Sequence, residues 1–194
     1  MADALITSAD LELILQTTIS DASLKTMLIV IASDFIENFT NRKFLSQEHS
    51  KETHDGDGTH YIYLKNYPVT ALTLVEAWDT YNNVQLYAYT ENEEYLAYMN
   101  EGYIYMRNNT SVGHKNYKVT YTAGYVIGSM PYDLRNACAQ LAGLVYTNKM
   151  KSGVKSESMG KYSVTYDKGD ILIMGIPVPA DIAGVLNQYR RRHI

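Results

Sequence analysis

The stretch LKTMLIVIASDFIENFTNRKF, residues 24–44, decides the fold. Apolar side chains recur in it at the spacing of one face of an α-helix: Leu24, Leu28, Ile31, Phe35 and Phe39. A second face carries three more: Ile29, Val30 and Ile36. A helix with two apolar faces is either enclosed by a large core or shared with another chain. The helix then closes with polar and basic residues that suit a C-terminus: Asn38, Asn41, Arg42 and Lys43.

The composition is that of a folded globular protein. With 194 residues, 46% of them hydrophobic and 20% charged, the chain predicts one domain, or one domain with a subdomain. The longest apolar run, residues 27–32, is far too short to span a bilayer, so we expect no membrane partner. The N-terminus lacks the pattern of a signal peptide. The only cysteine, Cys138, excludes an internal disulfide and sits in an apolar helical pattern, which predicts a buried core residue.

The net charge and the tyrosine content limit the classes of function that the chain can have. A net charge of −4 argues against a protein that wraps duplex DNA, because such proteins need a clustered basic surface. The chain has 18 tyrosines but only three phenylalanines and one tryptophan. Tyrosine combines an apolar ring with a polar tip, so it is favoured where a surface meets water or another protein.

The order of the patterns predicts an α+β fold. Ser8 is expected to cap a short helix and Asp21 the long one. Residues 44–54 and 61–64 predict a hairpin around the turn at 55–58, and further short strands follow up to residue 126. Helical periods return at Pro131, with a stripe formed by Leu134, Cys138, Leu141 and Val145. A polar loop at 151–160, short strands at 162–166 and 171–174, and a final helix after Pro179 complete the chain.

These elements divide the chain into two parts. We expect a helical bundle built from both chain ends, residues 1–44 and 129–194. A tyrosine-rich antiparallel β-sheet or sandwich, residues 45–128, is inserted between them.

A cluster of histidines and aspartates raises a metal hypothesis. His49, His54 and His60 surround Asp55 and Asp57, and two of the histidines could face each other across the predicted hairpin. The run does not match a calcium loop, because His60 stands where glycine is needed and residue 66 is not a bidentate glutamate. A zinc site would need three or four fixed ligands. Turn chemistry on a solvated hairpin is the favoured interpretation, with no metal and no cofactor.

No pattern assembles a catalytic set. The chain contains no nucleophile elbow, phosphate-binding loop or dinucleotide fingerprint. Three glutamates, Glu91, Glu93 and Glu94, lie together in a polar turn and are expected to be exposed. We therefore expect a protein that is not an enzyme.

Three tyrosine pairs have the spacing that places both rings on one face of a sheet: Tyr61/Tyr63, Tyr87/Tyr89 and Tyr103/Tyr105. They could stabilise a half-exposed sheet by cross-strand packing. They could equally form a flat aromatic surface of a binding module that recognises carbohydrate, a host surface or a protein partner.

The terminal run Arg190–Arg192 has two interpretations as well. It could be a solvated tail suited to the helix dipole, or a plug for an acidic partner.

Six segments together resemble the head–tail connector proteins of tailed phages, also called adaptor or head-completion proteins. They are LITSADLELIL (5–15), LIVIASDFIENFTNRKF (28–44), KVTYTAGY (118–125), PYDLRNACAQLAGLVY (131–146), KSESMGKYSVTY (155–166) and VPADIAGVLNQYRRR (178–192). They lie in the order seen in that family and span nearly the whole chain. The shorter members of the family lack a β block as long as residues 45–126.

The resemblance implies a structural virion protein at the head–tail interface, assembled in the host cytoplasm, without enzymatic activity or cofactor. It implies a ring, commonly of twelve copies, docked beneath the portal protein. This ring would extend the DNA channel and receive the next connector, a stopper or tail-completion protein. By resemblance, contact with the portal is expected from the C-terminal segment: Tyr189, Arg190, Arg191, Arg192, His193 and Ile194.

The two-faced helix and the charge agree with such a ring. A ring buries one patch of each subunit against a different patch of its neighbour. We expect the second helical face to supply one patch: Ile29, Val30 and Ile36. An acidic chain would let DNA pass without sequence-specific binding. Replacing Ile31 by aspartate is expected to unfold the chain or block assembly.

Overall fold

The computed structural model describes residues 4–151 and 171–190. Helices and antiparallel sheets make up the described chain, so the predicted α+β class is confirmed. The chain divides into two compact units. The helical unit comprises Met1–Arg42 and Ile127–Ile194, and the β unit comprises Lys43–Val126.

The helical unit contains four α-helices among its described residues. They are α1 (Ser8–Leu15), α2 (Ala22–Thr40), α3 (Tyr132–Lys151) and α4 (Ala180–Tyr189), with a 3₁₀ turn at Ile127–Ser129. Two short strands, β8 (Leu172–Ile173) and β9 (Ile176–Pro177), pair before α4, so the strand expected at 171–174 is shorter than predicted. The predicted strand at 162–166, and the predicted loop beyond Lys151, lie outside the described residues.

The helix starts follow from capping. Asp21 caps α2 as predicted, because its carboxylate accepts hydrogen bonds from the backbone N–H groups of Ser23 and Leu24. The predicted cap of α1 is wrong by one residue. Thr7 caps that helix: its hydroxyl accepts from the Asp10 N–H, and the Asp10 carboxylate accepts from the Thr7 N–H. This reciprocal pair is a capping box, which Ser8 could not form with a residue three positions on, since Leu11 has no polar side chain.

The core of the helical unit lies where α2 packs on α3 and α1 packs on both. The predicted stripe of α3 is confirmed, because Leu134, Cys138, Leu141 and Val145 are all buried. Each large side chain buried there contributes about 1.5–3 kcal/mol relative to exposure. Burial raises the pKa of the Cys138 thiol to about 12, so this cysteine is an inert core residue.

The β unit contains two antiparallel sheets. Its strands are β1 (Gln47–Gly56), β2 (Tyr61–Tyr63), β3 (Val69–Asp79), β4 (Val84–Tyr89), β5 (Tyr95–Tyr98), β6 (Tyr103–Met106) and β7 (Gly113–Ala123). The larger sheet has the strand order β1-β7-β3-β4, and the smaller one β2-β6-β5. Both sheets contribute to one buried cluster, which includes Val75 and Val119 from the first and Ile62 and Ile104 from the second.

The predicted hairpin at 44–64 is wrong. Strand β1 pairs with β7, and β2 pairs with β6, so the turn residues carry the chain from one sheet to the other. The Asp57 carboxylate accepts hydrogen bonds from the Thr59 N–H and hydroxyl at 2.8 and 2.7 Å, which closes a local turn without pairing the strands. Gly56 is required at the crossing, since a Cβ there would lie 1.9 Å from the carbonyl oxygen of Ser111.

Candidate functional site

Helix α2 has one fully buried face and one half-exposed face. Ile29 and Ile36 lie in the core of their own subunit, with 2% and 0% of their surface exposed. Ser33 shares this face, and its hydroxyl accepts a hydrogen bond from the Leu5 N–H at 3.0 Å. A neighbouring subunit therefore cannot contact Ile29 or Ile36 in this conformation, which corrects that expectation; Val30 is half-buried.

The adjoining face of α2 carries apolar side chains that are not fully buried. Five side chains form it, and we call them the outer stripe: Leu24, Met27, Ile31, Phe35 and Phe39. Met27 is 46% exposed, and the other four are half-buried. Of the first apolar face identified in the sequence, only Leu28 is fully buried, and its other members belong to the outer stripe. The small residues Ala32 and Ser33 could have identified the buried face from the sequence, because small side chains let neighbouring helices approach closely.

The outer stripe ends against the C-terminal helix. The rings of Phe35 and Phe39 stack with their centroids 6.1 Å apart. The guanidinium carbon of Arg190 lies 5.7 Å from the centroid of Phe39, within the range of a cation–π contact. Arg190 is therefore packed on its own subunit, although its side chain is exposed.

The last turn of α4 is fixed by two polar contacts. The carbonyl oxygen of Tyr189 accepts a hydrogen bond from Arg42 Nη1 at 2.9 Å. The hydroxyl of the Tyr189 side chain donates a hydrogen bond to Asp133 Oδ1 at 2.7 Å. Arg42 is only 4% exposed, so it is a buried residue that anchors the end of α4. From the sequence it was expected only to close helix α2. The remaining residues expected to contact the portal lie outside the described residues: Arg191, Arg192, His193 and Ile194.

The small sheet of the β unit presents a row of aromatic rings. We call this surface the tyrosine face, formed by Tyr61, Tyr63, Tyr98, Tyr103 and Tyr105 with Leu96. Its members lie opposite one another on neighbouring strands, and the Tyr98 and Tyr103 rings stack at 4.5 Å. Cross-strand packing of the Tyr61/Tyr63 and Tyr103/Tyr105 pairs is thereby confirmed, while the rings keep an exposed side.

The third tyrosine pair has a different role. Tyr87 and Tyr89 lie on β4 in the larger sheet, with their rings 5.0 Å apart. The Tyr87 hydroxyl donates to the Glu94 carboxylate at 2.8 Å, and Tyr89 stacks on Tyr117 of the core. The sequence interpretation missed Tyr98 and Leu96 as partners of the other two pairs, since only the pairing of β5 with β6 brings them onto that face.

A pocket of about 220 Å³ lies beside the tyrosine face. Its lining comprises Asn92, Glu93, Tyr95, Leu96, Tyr105 and Arg107. Two backbone hydrogen bonds hold its rim, from the Asn92 N–H to the Tyr95 carbonyl at 2.9 Å and from the Arg107 N–H to the Glu94 carbonyl at 2.8 Å. Asn92 adopts a left-handed backbone conformation with φ of 65°, which asparagine tolerates. We call this cavity the edge pocket.

The histidines considered as metal ligands do not converge. His54 Nε2 lies 2.9 Å from Glu52 Oε1, His60 Nδ1 lies 2.8 Å from the Met106 carbonyl oxygen, and His49 stacks on Tyr121. Among residues 4–151 and 171–190, no group of three or more His, Cys, Asp or Glu side chains is placed to hold a metal ion. Each of the three histidines makes a separate local contact within the β unit.

Glu52 is the centre of a buried polar network in the β unit. Its carboxylate accepts hydrogen bonds from the Tyr121 hydroxyl at 2.9 Å and from the Lys65 N–H at 3.1 Å. Burial alone would raise the pKa of Glu52, but His54 and these two donors outweigh it, so the pKa lies below its usual value. Burial, followed by the charge of Glu52, raises the pKa of the Tyr121 hydroxyl. These hydrogen bonds link Glu52 on β1 to Tyr121 on β7 and use the carboxylate oxygens, so Glu52 has little capacity to act as a base.

In the described part of the chain, no helix is both long enough and apolar enough to cross a bilayer.

Comparison with known proteins shows the family. The sequence matches the family described as head completion protein over residues 4–192. Two solved structures share its fold at 15% identity. A chain from the neck of an empty gene transfer agent particle, computed with C6 symmetry, has a TM-score of 0.57, with 100% of this chain and 94% of that chain covered. A chain from the virion of a native gene transfer agent particle has a TM-score of 0.53, with 98% and 91% covered.

No curated protein matches the sequence. The two likenesses to solved structures establish the fold alone. The family match covers nearly every residue of both units, and it includes the segments in which the sequence resembles head–tail connectors. The chain belongs to the head completion protein family.

Proposed function

We propose that this protein is a structural component of the head–tail connector of a phage-like particle. The observation that carries the proposal is the family match, which extends over residues 4–192. The folds that resemble it come from a particle neck and a virion, which supports a place at the head–tail interface. The proposed role is mechanical: the protein completes the filled head and provides the surface on which the next component assembles.

In this proposal, copies of the chain form a ring beneath the portal protein, with twelve copies as the number that the family resemblance favours. Closed rings need two different patches on each subunit, because the contact is heterologous. The outer stripe of α2 supports this, since it leaves Met27 and parts of Ile31 and Phe35 exposed on a helix whose other face is already buried. Val30 flanks the stripe and is proposed as part of the same contact.

The portal contact is proposed for residues 189–194. Tyr189 is held by Arg42 and Asp133, so the chain that follows it starts from a fixed point on the helical unit. The basic side chains of Arg191 and Arg192 would suit an acidic surface on the portal. The opposite side of the ring would receive the next connector or a tail-completion protein. DNA would pass without sequence-specific binding, which the net charge of −4 supports.

An early stop codon in the gene, placed in the phage or prophage genome that encodes it, tests the proposal. We expect DNA-containing heads to lose their attached tails, and a plasmid copy of the wild-type gene to restore tailed particles. Electron microscopy of the particles measures both outcomes. Tailed particles at normal yield without the protein would overturn the proposal.

A further inference from the structure

We propose that the tyrosine face and the edge pocket together bind a neutral carbohydrate chain. The two features are continuous, because Leu96 and Tyr105 belong to both. The site lies wholly within the β unit, so it is independent of the ring and portal contacts proposed for the helical unit.

The aromatic part of the site suits the apolar faces of sugar rings. Five tyrosines lie on neighbouring strands, and Tyr61, Tyr63 and Tyr98 are each 40–42% exposed although their other sides are packed. Each ring offers an apolar surface against which C–H groups can pack, and each hydroxyl offers a hydrogen bond at the edge. The side chains are held by their neighbours, so a ligand meets a preformed surface and little ordering entropy is lost on binding.

The edge pocket supplies polar groups that have no other partner. Among the described residues, the side chains of Asn92, Glu93 and Arg107 have neither a hydrogen-bond partner nor an ion-pair partner. An amide, a carboxylate and a guanidinium are planar groups that donate or accept two hydrogen bonds side by side. This geometry matches adjacent hydroxyl groups on one sugar ring.

The size of the pocket limits what can enter. Its volume of about 220 Å³ is below the roughly 300–1,000 Å³ of sites that enclose drug-sized ligands. The pocket therefore takes a single small unit, such as one hexose or N-acetylhexosamine. The neighbouring units of the chain would lie along the tyrosine face.

The charges around the pocket select neutral sugars. Glu91, Glu93, Glu94 and Glu101 belong to β5 and β6 or their adjoining turns, whereas Arg107 is the single cation of the lining. A uronic or sialic acid would be repelled by this excess of carboxylates. A neutral sugar can use both Glu93 and Arg107 without introducing an unpaired charge.

A glycan array probed with the full-length purified chain tests the inference. The array should contain neutral oligosaccharides of glucose, galactose, mannose and N-acetylglucosamine, together with polygalacturonate and polysialate. We expect binding to at least one neutral series and none to the acidic polymers. Tyr105→Ala and Arg107→Ala should each weaken that binding about tenfold or more, measured by calorimetry. Tyr81→Ala is the matched control, because Tyr81 is 95% exposed in the β3–β4 turn, and it should bind normally.

Three results would overturn the inference: an array with no binding, a preference for the acidic polymers, or unchanged affinity in both site variants. An array without binding, combined with loss of a connector protein from particles that carry Tyr105→Ala, would identify the surface as a protein interface instead. None of these results bears on ring formation, which is measured separately.

Discussion

Arg42 is the charged side chain on which the end of the helical unit depends. Arg42 is 4% exposed, and its guanidinium donates a hydrogen bond to the carbonyl oxygen of Tyr189, the last residue of α4. A hydrogen bond from a charged group contributes about 1.5–3 kcal/mol, more than most neutral ones. The sequence predicted only a basic helix end, because nothing local to α2 reveals a partner 147 residues away.

Arg42→Ala should therefore lower the free energy of unfolding by about 2–3 kcal/mol, since the Tyr189 carbonyl loses a charged donor in a buried position. Urea unfolding of the purified chain measures this change. Arg107→Ala, in which an exposed arginine is removed, should stay within about 0.5 kcal/mol of wild type. Equal stabilities for the two variants would show that the anchor contributes nothing.

Glu52 makes the stability of the β unit depend on pH. Its pKa in the folded chain lies below its usual value, so the ionised carboxylate stabilises the fold above the unfolded-state pKa. This contribution is lost as the pH falls through the folded-state pKa. Glu52→Gln, which cannot titrate, should lose less stability than wild type between about pH 5 and about pH 3. Urea unfolding at a series of pH values tests this, and parallel curves for the two proteins would contradict it.

Helix α2 has a buried face that stabilises the fold and a half-exposed face for which we propose a role in assembly. Its sequence predicted the helix and its Asp21 cap, but the hydrophobic pattern could not tell which face is buried. Both faces carry large apolar side chains, and the choice depends on the small residues Ala32 and Ser33 and on the helices that pack against them. Ile31 is half-buried, so aspartate there would disturb both properties and is a poor test of either.

Substitutions on the two faces of α2 should therefore affect different properties, stability for the buried face and ring formation for the outer stripe. Ile36→Ala should lower the free energy of unfolding by about 2–4 kcal/mol, because it leaves a cavity in the core. Met27→Glu should leave the stability within about 0.5 kcal/mol but reduce ring formation with the portal. Leu13→Glu, on α1 and 75% exposed, is the control and should assemble normally. Urea unfolding and particle counts by electron microscopy measure these effects; normal rings from Met27→Glu would exclude the outer stripe as the contact.

In the β unit, local sequence patterns predicted the strands but not how the strands pair. The short strands predicted between residue 64 and residue 126 are present, because alternation and turn residues are local properties. The hairpin at 44–64 failed because turn chemistry specifies that the chain reverses, not which strand it pairs with afterwards. The tyrosine face was foreseen through two of its pairs. The edge pocket was not, since Asn92 and Arg107 meet only through the pairing of β5 with β6.

For the molecule as a whole, the sequence predicted the α+β class that the structure has. Periodicity and segment order were sufficient for this, because helical and strand patterns change sharply near residues 44 and 126. The family match extends over residues 4–192 and so includes both the helical and the β unit.

Co-expression of the full chain with a portal protein from the same phage or prophage genome, followed by single-particle electron microscopy, tests the central claim most directly. We predict portal particles with an additional ring of density on one side, made of copies of this chain in the portal's rotational symmetry. Met27→Glu in the same experiment should reduce that density, while Leu13→Glu should not. Portal particles without bound copies, at concentrations where both proteins are folded, would contradict the account.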